Sequence, residues 1–425
     1  MTVVYEGARV LTGDGSTVVD DAVIEVRDGV VTRLGADVVS EPGATTVSLR
    51  GKTVLPALVN PHGHIGYMRG TTSHADHYSR ENVVDHLHRL AYYGVGVFQS
   101  LGTDRDDTEI RVRDDQRAGK LAEPDAATLF TAGAGIVAPT PGGTNGGPFF
   151  AADAVHEATS PEDVRAYVCG LAAKKVDAVK FWLDDRHGTK AKLGPEIYEA
   201  VIDEAHTHGL KVAAHIYTLD EAKAVVRAGA DIIAHLPRTP GADDELIELL
   251  LERNVAVFTS LAIQRPPGEA WLDDPALAET IPAEAIEGLR ATIRQHAPEP
   301  LFDTAESYRR MEKTLGVLVG AGVRLVFSAD TGLLAQVPGF AEHRELEALV
   351  AAGLSPLAAL RLATEVSAEL LELPDRGTLA VGKRADFVVL DADPRDDITN
   401  TRRIDSVYLA GRRVNREGMR EAWNS

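Results

Sequence analysis

From about residue 54 onward, the chain alternates between short apolar runs and longer amphipathic stretches. The apolar runs have the length and the β-branched character of strands, and helical patterns such as 195–208 and 219–228 separate them. Glycine follows three of the helical patterns, at Gly209, Gly229 and Gly322, which is where helices commonly end. The predicted strands are 54–60, 95–102, 127–132, 178–183, 211–215, 231–235, 255–261 and 323–330. Eight strands alternating with helices predict an α/β fold, a parallel (β/α)8 TIM barrel.

The two chain ends have a different pattern, that of short strands joined by tight turns. In residues 1–53, Asp28-Gly29 lies between two β-branched runs, which is a strong hairpin signal. Residues 377–425 contain two further strand-like runs, and neither end is long enough to bury a core alone. We therefore predict that residues 1–53 and 377–425 together form a small β-sandwich, with the barrel of residues 54–376 inserted between them.

Composition places the chain among globular proteins and narrows its partners. The formal net charge of −20 disfavours binding to nucleic acid or to an anionic membrane, which both require a basic surface. The N-terminus lacks the features of a signal peptide and no apolar run approaches a membrane span, so a cytoplasmic protein is expected. The single cysteine, Cys169, excludes a disulfide within the chain, and its helical context predicts a buried thiol.

Two long segments interrupt the alternation of strands and helices. Residues 136–150 are rich in glycine and proline, and residues 264–306 are partly helical in pattern. Each segment follows a strand and therefore leaves the barrel at the end where the active site of this fold lies. We expect at least one of them to act as a lid, with a surface excursion as the alternative.

The residue types that bind metal ions recur at the carboxyl ends of the apolar runs, where a barrel carries its chemistry. His62 and His64 are two positions apart, so on a strand both imidazoles point to the same side. Imidazole nitrogen suits Zn²⁺ and similar ions. The six residues in such positions are His62, His64, Lys180, His215, His235 and Asp330.

Each of these residues taken alone has a simpler explanation. A single His-x-His pair is often two hydrogen-bonded side chains, His215 and His235 could be satisfied polar groups, and Asp330 could cap a helix. Lys180 is different, because an unpaired ammonium beside two cations would be strongly unfavourable. Reaction of the amine with CO2 would remove the charge and convert the side chain into a bridging carboxylate.

With these motifs, the chain resembles the amidohydrolase superfamily, in particular its imidazolonepropionase-like and prolidase-like members that carry a carboxylated lysine. The resemblance extends to the segment 51–56 before the first barrel strand and to the closing segment 377–388. Two positions depart from the family pattern. Asn60 stands where the family usually has Asp, and Ala57 stands where it usually has Gly.

The resemblance implies a site with two divalent metal ions, zinc first and manganese, cobalt or iron as alternatives. His62, His64 and Asp330 would hold the more buried ion, and His215 with His235 would hold the second. Carbamylated Lys180 would bridge the two ions together with a hydroxide. The resemblance further implies that Asp330 accepts the proton of the attacking hydroxide and delivers it to the leaving group.

The reaction expected from this resemblance is hydrolysis of an amide-type C–N bond in a small molecule, namely an N-acyl amino acid, a dipeptide or a carbamate, by a metal-bridging hydroxide. Hydrolysis of a cyclic amide, lactone, ester or organophosphate remains an alternative. A mononuclear deaminase is disfavoured, because neither His215 nor His235 begins a His-x-x-Glu motif. A non-catalytic scaffold is the remaining alternative, and the resemblance also favours a homo-oligomer.

Three residues near the strand ends are candidate substrate contacts. Tyr217 could donate to a carbonyl oxyanion, Arg238 could pair with a substrate carboxylate, and Trp182 could form a wall of the pocket. With Asp330 and Lys180, Tyr217 completes the predicted catalytic set. Asp184 and Asp185 are interpreted as a cap of the next helix rather than as a cation-binding pair.

A further group of histidines looks like metal-site material but lies on a loop and an amphipathic helix, away from any strand end. We expect these side chains to lie on a solvated face. They are His74, His77, His86 and His88.

Overall fold

The computed structural model describes residues 2–38, 43–121, 125–139, 150–266, 268–296, 304–333 and 335–424. Its strands are β1 Thr2–Leu11, β2 Val18–Arg27, β3 Val30–Gly35, β4 Thr45–Ser48, β5 Thr53–Pro56, β6 Leu58–Gly63, β7 Met68–Arg69, β8 Thr72–Ser73, β9 Val95–Ser100, β10 Thr128–Thr131, β11 Gly135–Val137, β12 Val155–Glu157, β13 Val179–Trp182, β14 Val212–His215, β15 Ile232–Ala234, β16 Ala256–Phe258, β17 Leu325–Val326, β18 Phe387–Leu390, β19 Ile404–Leu409 and β20 Arg412–Arg413.

The α-helices are α1 Arg80–Tyr92, α2 Thr108–Arg117, α3 Pro161–Ala173, α4 Pro195–Thr207, α5 Leu219–Ala228, α6 Asp244–Glu252, α7 Pro275–Ala278, α8 Ala283–His296, α9 Ala305–Ala321, α10 Phe340–Ala351, α11 Pro356–Arg361, α12 Ser367–Leu370 and α13 Arg416–Asn424. Among the described residues, none of these helices combines the length and the apolar character that crossing a membrane requires.

Strands from both chain ends hydrogen-bond in one eight-stranded sheet. Its order is β20-β19-β18-β5-β1-β2-β3, and β4 pairs with β1. Tyr5 packs edge-on against Phe387 and Tyr408, with ring centroids 5.1 and 5.0 Å away, so residues from the two ends share one core. The mixed origin of the sheet agrees with the predicted pairing of the termini, whereas the exact domain boundaries remain a prediction.

The predicted strand 54–60 is two strands that belong to different sheets. Strand β5 pairs with β18 in the terminal sheet, and β6 pairs in parallel with β9. The change of partner falls at Ala57, whose N–H donates to Asp386, while the N–H of Leu58 donates to Gly94. A continuous apolar run gives no sign of such a change, because both sheets bury it.

All eight predicted barrel strands have a counterpart among the parallel strands. Strands β6, β9 and β10 form one sheet, and β13 to β17 lie next to one another in a second sheet that also contains β11 and β12. Gly63 at the end of β6 is bridged in parallel to Thr331, just past β17. The N–H of Asp177 donates to the carbonyl of Thr131 at 2.8 Å, next to β13 and β10. These two contacts connect the sheets, one between the end of β6 and the residues that follow β17 and the other between the end of β10 and the residues before β13.

Alternation along β13 determines which of its side chains can reach the site. Val179 and Phe181 lie in one hydrophobic cluster with Tyr198 of α4, so they face the helices. Burying each of these two side chains stabilises the fold by about 1.5–3 kcal/mol. Lys180 and Trp182 occupy the intervening positions and therefore project to the opposite side of the sheet.

The structure bears on two predictions, the burial of Cys169 and the character of the two long segments. The thiol of Cys169 is exposed on α3, so the prediction of a buried cysteine is wrong. The buried face of α3 consists of Val164, Val168 and Leu171, and Cys169 is rotated away from it by one residue. The segment 264–306 is partly helical within its described residues, which include α7, α8 and the start of α9. Most of the other segment expected to form a lid, residues 140–149, lies outside the described residues.

Candidate metal centre

The six residues with metal-ligand chemistry lie in the parallel strands or in the segments that follow them, and all are at least 94% buried. His62 and His64 lie at the end of β6, Lys180 in β13, and His215 at the end of β14. His235 and Asp330 follow β15 and β17, respectively. Their exposed fractions are 0% for His62 and Lys180, 2% for His235, 4% for His64, and 6% for His215 and Asp330.

The carboxylate of Asp330 lies between three of the histidines. Its Oδ1 atom is 3.6 Å from Nε2 of His62 and 3.3 Å from Nε2 of His64. Its Oδ2 atom is 3.9 Å from Nε2 of His235. The ligand atoms of His62, His235 and Asp330 all lie within 4.8 Å of one another, which is a spacing that one metal ion could span. The ring of His215 is 4.8 Å from that of His235.

The backbone at these strand ends adopts conformations that non-glycine residues rarely take. His235 has a φ of 83°, Ser260 of 42° and Asp330 of 51°. Residues in the left-handed region cost about 1–3 kcal/mol each and persist where the surrounding structure holds them. These turns redirect the chain as it leaves the strands and aim His235 and Asp330 toward the same space.

Hydroxyl groups orient two of the histidine rings. Nδ1 of His62 is 2.9 Å from Oγ of Ser328, which is in turn 2.6 Å from Oγ of Ser260. Nδ1 of His64 is 3.2 Å from Oγ1 of Thr103. With Nδ1 engaged, both rings present Nε2 to Asp330. Sequence reasoning missed these hydroxyl groups, although Ser328 precedes Asp330 by two residues and so lies on the same face of its segment.

Lys180 carries a buried amine. Its Nζ atom is buried, has no hydrogen-bond partner among the described residues, and lies 5.1 Å from the ring of Trp182. Burial lowers the pKa of Lys180 to about 7, although Asp330 opposes the shift. A substantial fraction of the side chain is therefore the neutral amine at neutral pH, which is the form that reacts with CO2.

The donor set fits a metal centre. Nε2 of His62, Nζ of Lys180 and Oδ1 of Asp330 are buried without a hydrogen-bond partner in the described part of the chain, whereas buried polar atoms are normally satisfied. Burial lowers the pKa of His62 and of the other three histidines, so their rings are neutral at neutral pH. Neutral imidazole is the form that binds metal ions.

The candidate substrate residues lie beside these groups. Trp182 is buried and stacks near His64, with ring centroids 6.3 Å apart. The ring of Tyr217 lies under the guanidinium of Arg238, 4.9 Å away, and edge-on to the exposed ring of His187 at 4.8 Å. Tyr217 and Arg238 thus form one aromatic–cation unit next to the ends of β14 and β15.

Asp184 has a different place from the one predicted. It caps no helix, because α4 begins only at Pro195 and Gly194 is its capping residue. Instead, Oδ2 of Asp184 lies 3.3 Å from Nε2 of His215 and 3.0 Å from Nη1 of Arg186. The sequence did indicate this position, because alternate residues of an extended chain point to the same side. Asp184 therefore lies on the side of Lys180 and Trp182.

Asp185 likewise serves a turn rather than a helix, because its carboxylate accepts from the N–H of Gly188 at 3.0 Å. The helix-cap interpretation is therefore wrong for both aspartates. The short stretch between β13 and α4 contains a turn that the charge pattern alone did not reveal.

The expectation of a solvated face for the second group of histidines is wrong for His86. Its ring is 1% exposed, with Nδ1 accepting from the N–H of Gly66 at 3.0 Å and Nε2 2.7 Å from the carbonyl of Met68. His86 lies on the inner face of α1 beside Val83 and Leu87. Both of its nitrogens are engaged by backbone, so it is a structural residue and no metal ligand.

Comparisons with known proteins identify the family of the chain. Residues 53–414 match the model of the amidohydrolase family. The chain is 23% identical over 431 residues to an ochratoxinase from Aspergillus niger, which covers 94% of this chain and 82% of that protein.

Solved structures share the fold. A putative prolidase from Bifidobacterium longum superimposes with a TM-score of 0.73 at 24% identity, covering 99% of this chain and 98% of that one. Phenylurea hydrolase B gives a TM-score of 0.76 at 20% identity, with 98% of each chain covered. The resemblance inferred from the sequence is confirmed: the family match covers most of the chain, and the protein is a hydrolase of the amidohydrolase family.

Proposed function

We propose that this protein is a binuclear metal-dependent hydrolase that cleaves an amide-type C–N bond in an N-acyl amino acid, a dipeptide or a carbamate. The observation that carries the proposal is that the ligand atoms of His62, His235 and Asp330 lie within 4.8 Å of one another. Nε2 of His62, Nζ of Lys180 and Oδ1 of Asp330 are also buried without a hydrogen-bond partner among the described residues. Relatives named as a prolidase and a phenylurea hydrolase support a hydrolytic reaction on such bonds. The proposal includes closure of the two parallel sheets into a (β/α)8 barrel, with residues 1–53 and 377–425 as a second domain.

In this proposal, His62, His64 and Asp330 would hold one divalent ion, and His215 with His235 would hold the other. Lys180, as its carbamate, would supply a carboxylate ligand shared by the two ions. Zinc is the first choice for this donor set. Two bound ions would lower the pKa of a water molecule and polarise the scissile carbonyl.

The protein's own residues supply the remaining parts of the reaction. The carboxylate of Asp330 takes the proton of the attacking water and passes it to the leaving nitrogen. The hydroxyl of Tyr217 donates to the carbonyl oxygen as negative charge develops there. Arg238 pairs with a substrate carboxylate, and Trp182 excludes bulk water from the side of Lys180.

Metal content tests the proposal directly. Elemental analysis of protein purified without chelators should give about two ions per chain. Lys180→Ala should lose most of the bound metal and of the activity in a screen of N-acyl amino acids, dipeptides and carbamates. A short carboxylic acid or bicarbonate should restore part of both. Lys174→Ala, which removes an exposed lysine paired with Asp107, is the matched control and should behave as the wild type.

The alternatives predict other results. Full metal content and full activity in Lys180→Ala would rule out the carbamate-bridged centre. About one ion per chain in the wild type would favour a mononuclear deaminase or the opening of a cyclic amide. We also propose an assembly of two or more chains, on the basis of the family resemblance, and light scattering of the purified protein tests it.

A further inference from the structure

His215 differs from the other three histidines in the direction of its Nε2 atom. His62, His64 and His235 present Nε2 to Asp330, at 3.6, 3.3 and 3.9 Å. Nε2 of His215 is instead 3.3 Å from Oδ2 of Asp184, in hydrogen-bonding geometry. We infer that Asp184 is a positioning residue, which fixes the tautomer of His215 so that Nδ1, and not Nε2, is the metal-binding atom.

Asp184 has the environment of a residue that orients another side chain. It is 3% exposed, and its Oδ1 accepts the N–H of Arg186 at 2.7 Å. Its Oδ2 forms an ion pair with Nη1 of Arg186 at 3.0 Å. Because Arg186 engages both oxygens and balances the charge, the carboxylate is held in place with its Oδ2 atom directed at His215.

This hydrogen bond determines where the proton of the imidazole resides. A carboxylate accepts but does not donate, so Nε2 of His215 must carry the hydrogen. In the neutral ring, Nδ1 then has a free lone pair, and a carboxylate partner also makes it more basic. The inference rests on the proposed function, because it assigns a ligand atom of the second metal ion.

The strand register explains why this residue can reach His215. Trp182 is the register partner of His215 across β13 and β14, and the N–H of Leu183 donates to the carbonyl of His215. Asp184 follows directly and has the same parity as Lys180. One segment therefore supplies both the lysine of the proposed centre and the carboxylate that orients a histidine of the next strand.

The tautomer is measured by NMR of full-length protein labelled with ¹⁵N-histidine, in metal-free and metal-loaded form, with His215→Gln to assign the signal. We expect the Nε2–H tautomer in the wild type and a loss of that preference in Asp184→Asn. An Nδ1–H tautomer in the wild type would overturn the inference, and this result needs no variant of Asp184 that folds. The Nδ1–H tautomer is also the one expected if Asp184 and His215 bound one metal ion together, through Oδ2 and Nε2.

Metal affinity provides the second measurement, by competition between the protein and a chelator for Zn²⁺. Asp184→Asn should weaken the second ion by about 10–100-fold and leave the first ion unchanged. Asp185→Asn is the matched control, because in the described part of the chain its carboxylate accepts from the N–H of Gly188 and pairs with Lys192, and neither contact involves His215. Equal affinities in Asp184→Asn and the wild type, or equal weakening of both ions, would overturn the inference. Fewer than two ions in the wild type would contradict the proposed function, while the tautomer of His215 would still decide this inference.

Discussion

Asn60 and Glu342 are joined by a buried hydrogen bond of 2.7 Å, in which the side-chain amide of Asn60 donates to Oε1 of Glu342. Both residues are 0% exposed. The Oδ1 atom of Asn60 accepts the N–H of His62 at 3.1 Å, so Asn60 connects Glu342 to the backbone of a proposed metal ligand. An aspartate at this position, as the family usually has, would place two carboxylates in contact here. Asn60 therefore suits Glu342 of α10, because an amide donates to this carboxylate where an aspartate would repel it.

We predict that Asn60→Asp destabilises the protein by about 2–3 kcal/mol at pH 8, because the variant loses a donor and buries a second carboxylate. Burial and Glu342 would raise the pKa of the new carboxyl in the folded state. The folded state then binds more protons than the unfolded state, so the loss of stability grows as the pH rises from 5 to 8. Chemical unfolding of both proteins at the two pH values measures it.

A double variant isolates the contact between the two residues. Glu342→Gln replaces a carboxylate by an amide that can donate to the new carboxylate at position 60, so combining it with Asn60→Asp should recover part of the lost stability. If the two substitutions proved additive, the repulsion between residues 60 and 342 would not be the cause of the effect.

Substitution of Gly332 tests how closely the segment after Asp330 packs against the residues at the end of β6. A Cβ atom at this position would lie 1.7 Å from the carbonyl oxygen of His64, and φ is 95°. Gly332→Ala should therefore destabilise the protein by more than about 3 kcal/mol and displace His64, with loss of bound metal.

The control for this substitution is Gly322→Ala at the end of α9, where φ is 75° and nothing lies within 4 Å of the added atom. That variant has the same conformational cost, about 1–2 kcal/mol, without the collision. The difference between the two free energies of unfolding measures the contact with His64. Equal losses in the two variants would show that only backbone conformation matters at Gly332.

The strands and the set of candidate ligands could be predicted from the sequence because both depend on local pattern. An apolar run of four to eight residues is a strand signal. The polar residue that ends such a run lies at the carboxyl end of its strand, on the face of the barrel that carries the active site. His62 and Asp330 are 268 positions apart in the chain, yet the barrel rule places them together without any knowledge of their contacts.

The features that could not be predicted depend on tertiary partners. The division of the first barrel strand at Ala57 follows from the position of Asp386, which is far away in the chain. His86 has a polar side chain but is buried, because backbone groups of residues 66 and 68 form hydrogen bonds with both of its ring nitrogens. Asp184 lies beside Arg186 in a turn, and only the register of the next strand brings it to His215.

His86 should make stability depend on pH. Burial lowers its pKa to about 4 from an ordinary value of 6.5. Between these values the unfolded state binds more protons than the folded state, so stability is full above pH 6.5 and is lost as the pH falls toward 4. His86 alone should account for about 2 kcal/mol of the loss between pH 7.5 and pH 5.

Metal-free protein is the sample for this measurement, so that metal release does not contribute. The fall in the free energy of unfolding between pH 7.5 and pH 5 should be about 2 kcal/mol smaller in His86→Gln than in the wild type. His74→Gln, which changes an exposed histidine, should keep the wild-type fall. The same fall in all three proteins would mean that the ring of His86 becomes protonated without unfolding.

Tyr217→Phe separates the chemical role of the hydroxyl group from the packing role of the ring. Phenylalanine retains the ring under Arg238 and against His187, so the arrangement at the mouth of the site should persist. If the hydroxyl donates to the developing oxyanion, kcat should fall by about 10²-fold while KM changes little, since the interaction forms mainly in the transition state. Tyr198→Phe, on α4 and stacked on Phe181, is the control and should leave kcat unchanged. An unchanged kcat in Tyr217→Phe would remove the hydroxyl from the mechanism and leave Tyr217 as a support for Arg238, and a rise in KM alone would assign it to substrate binding.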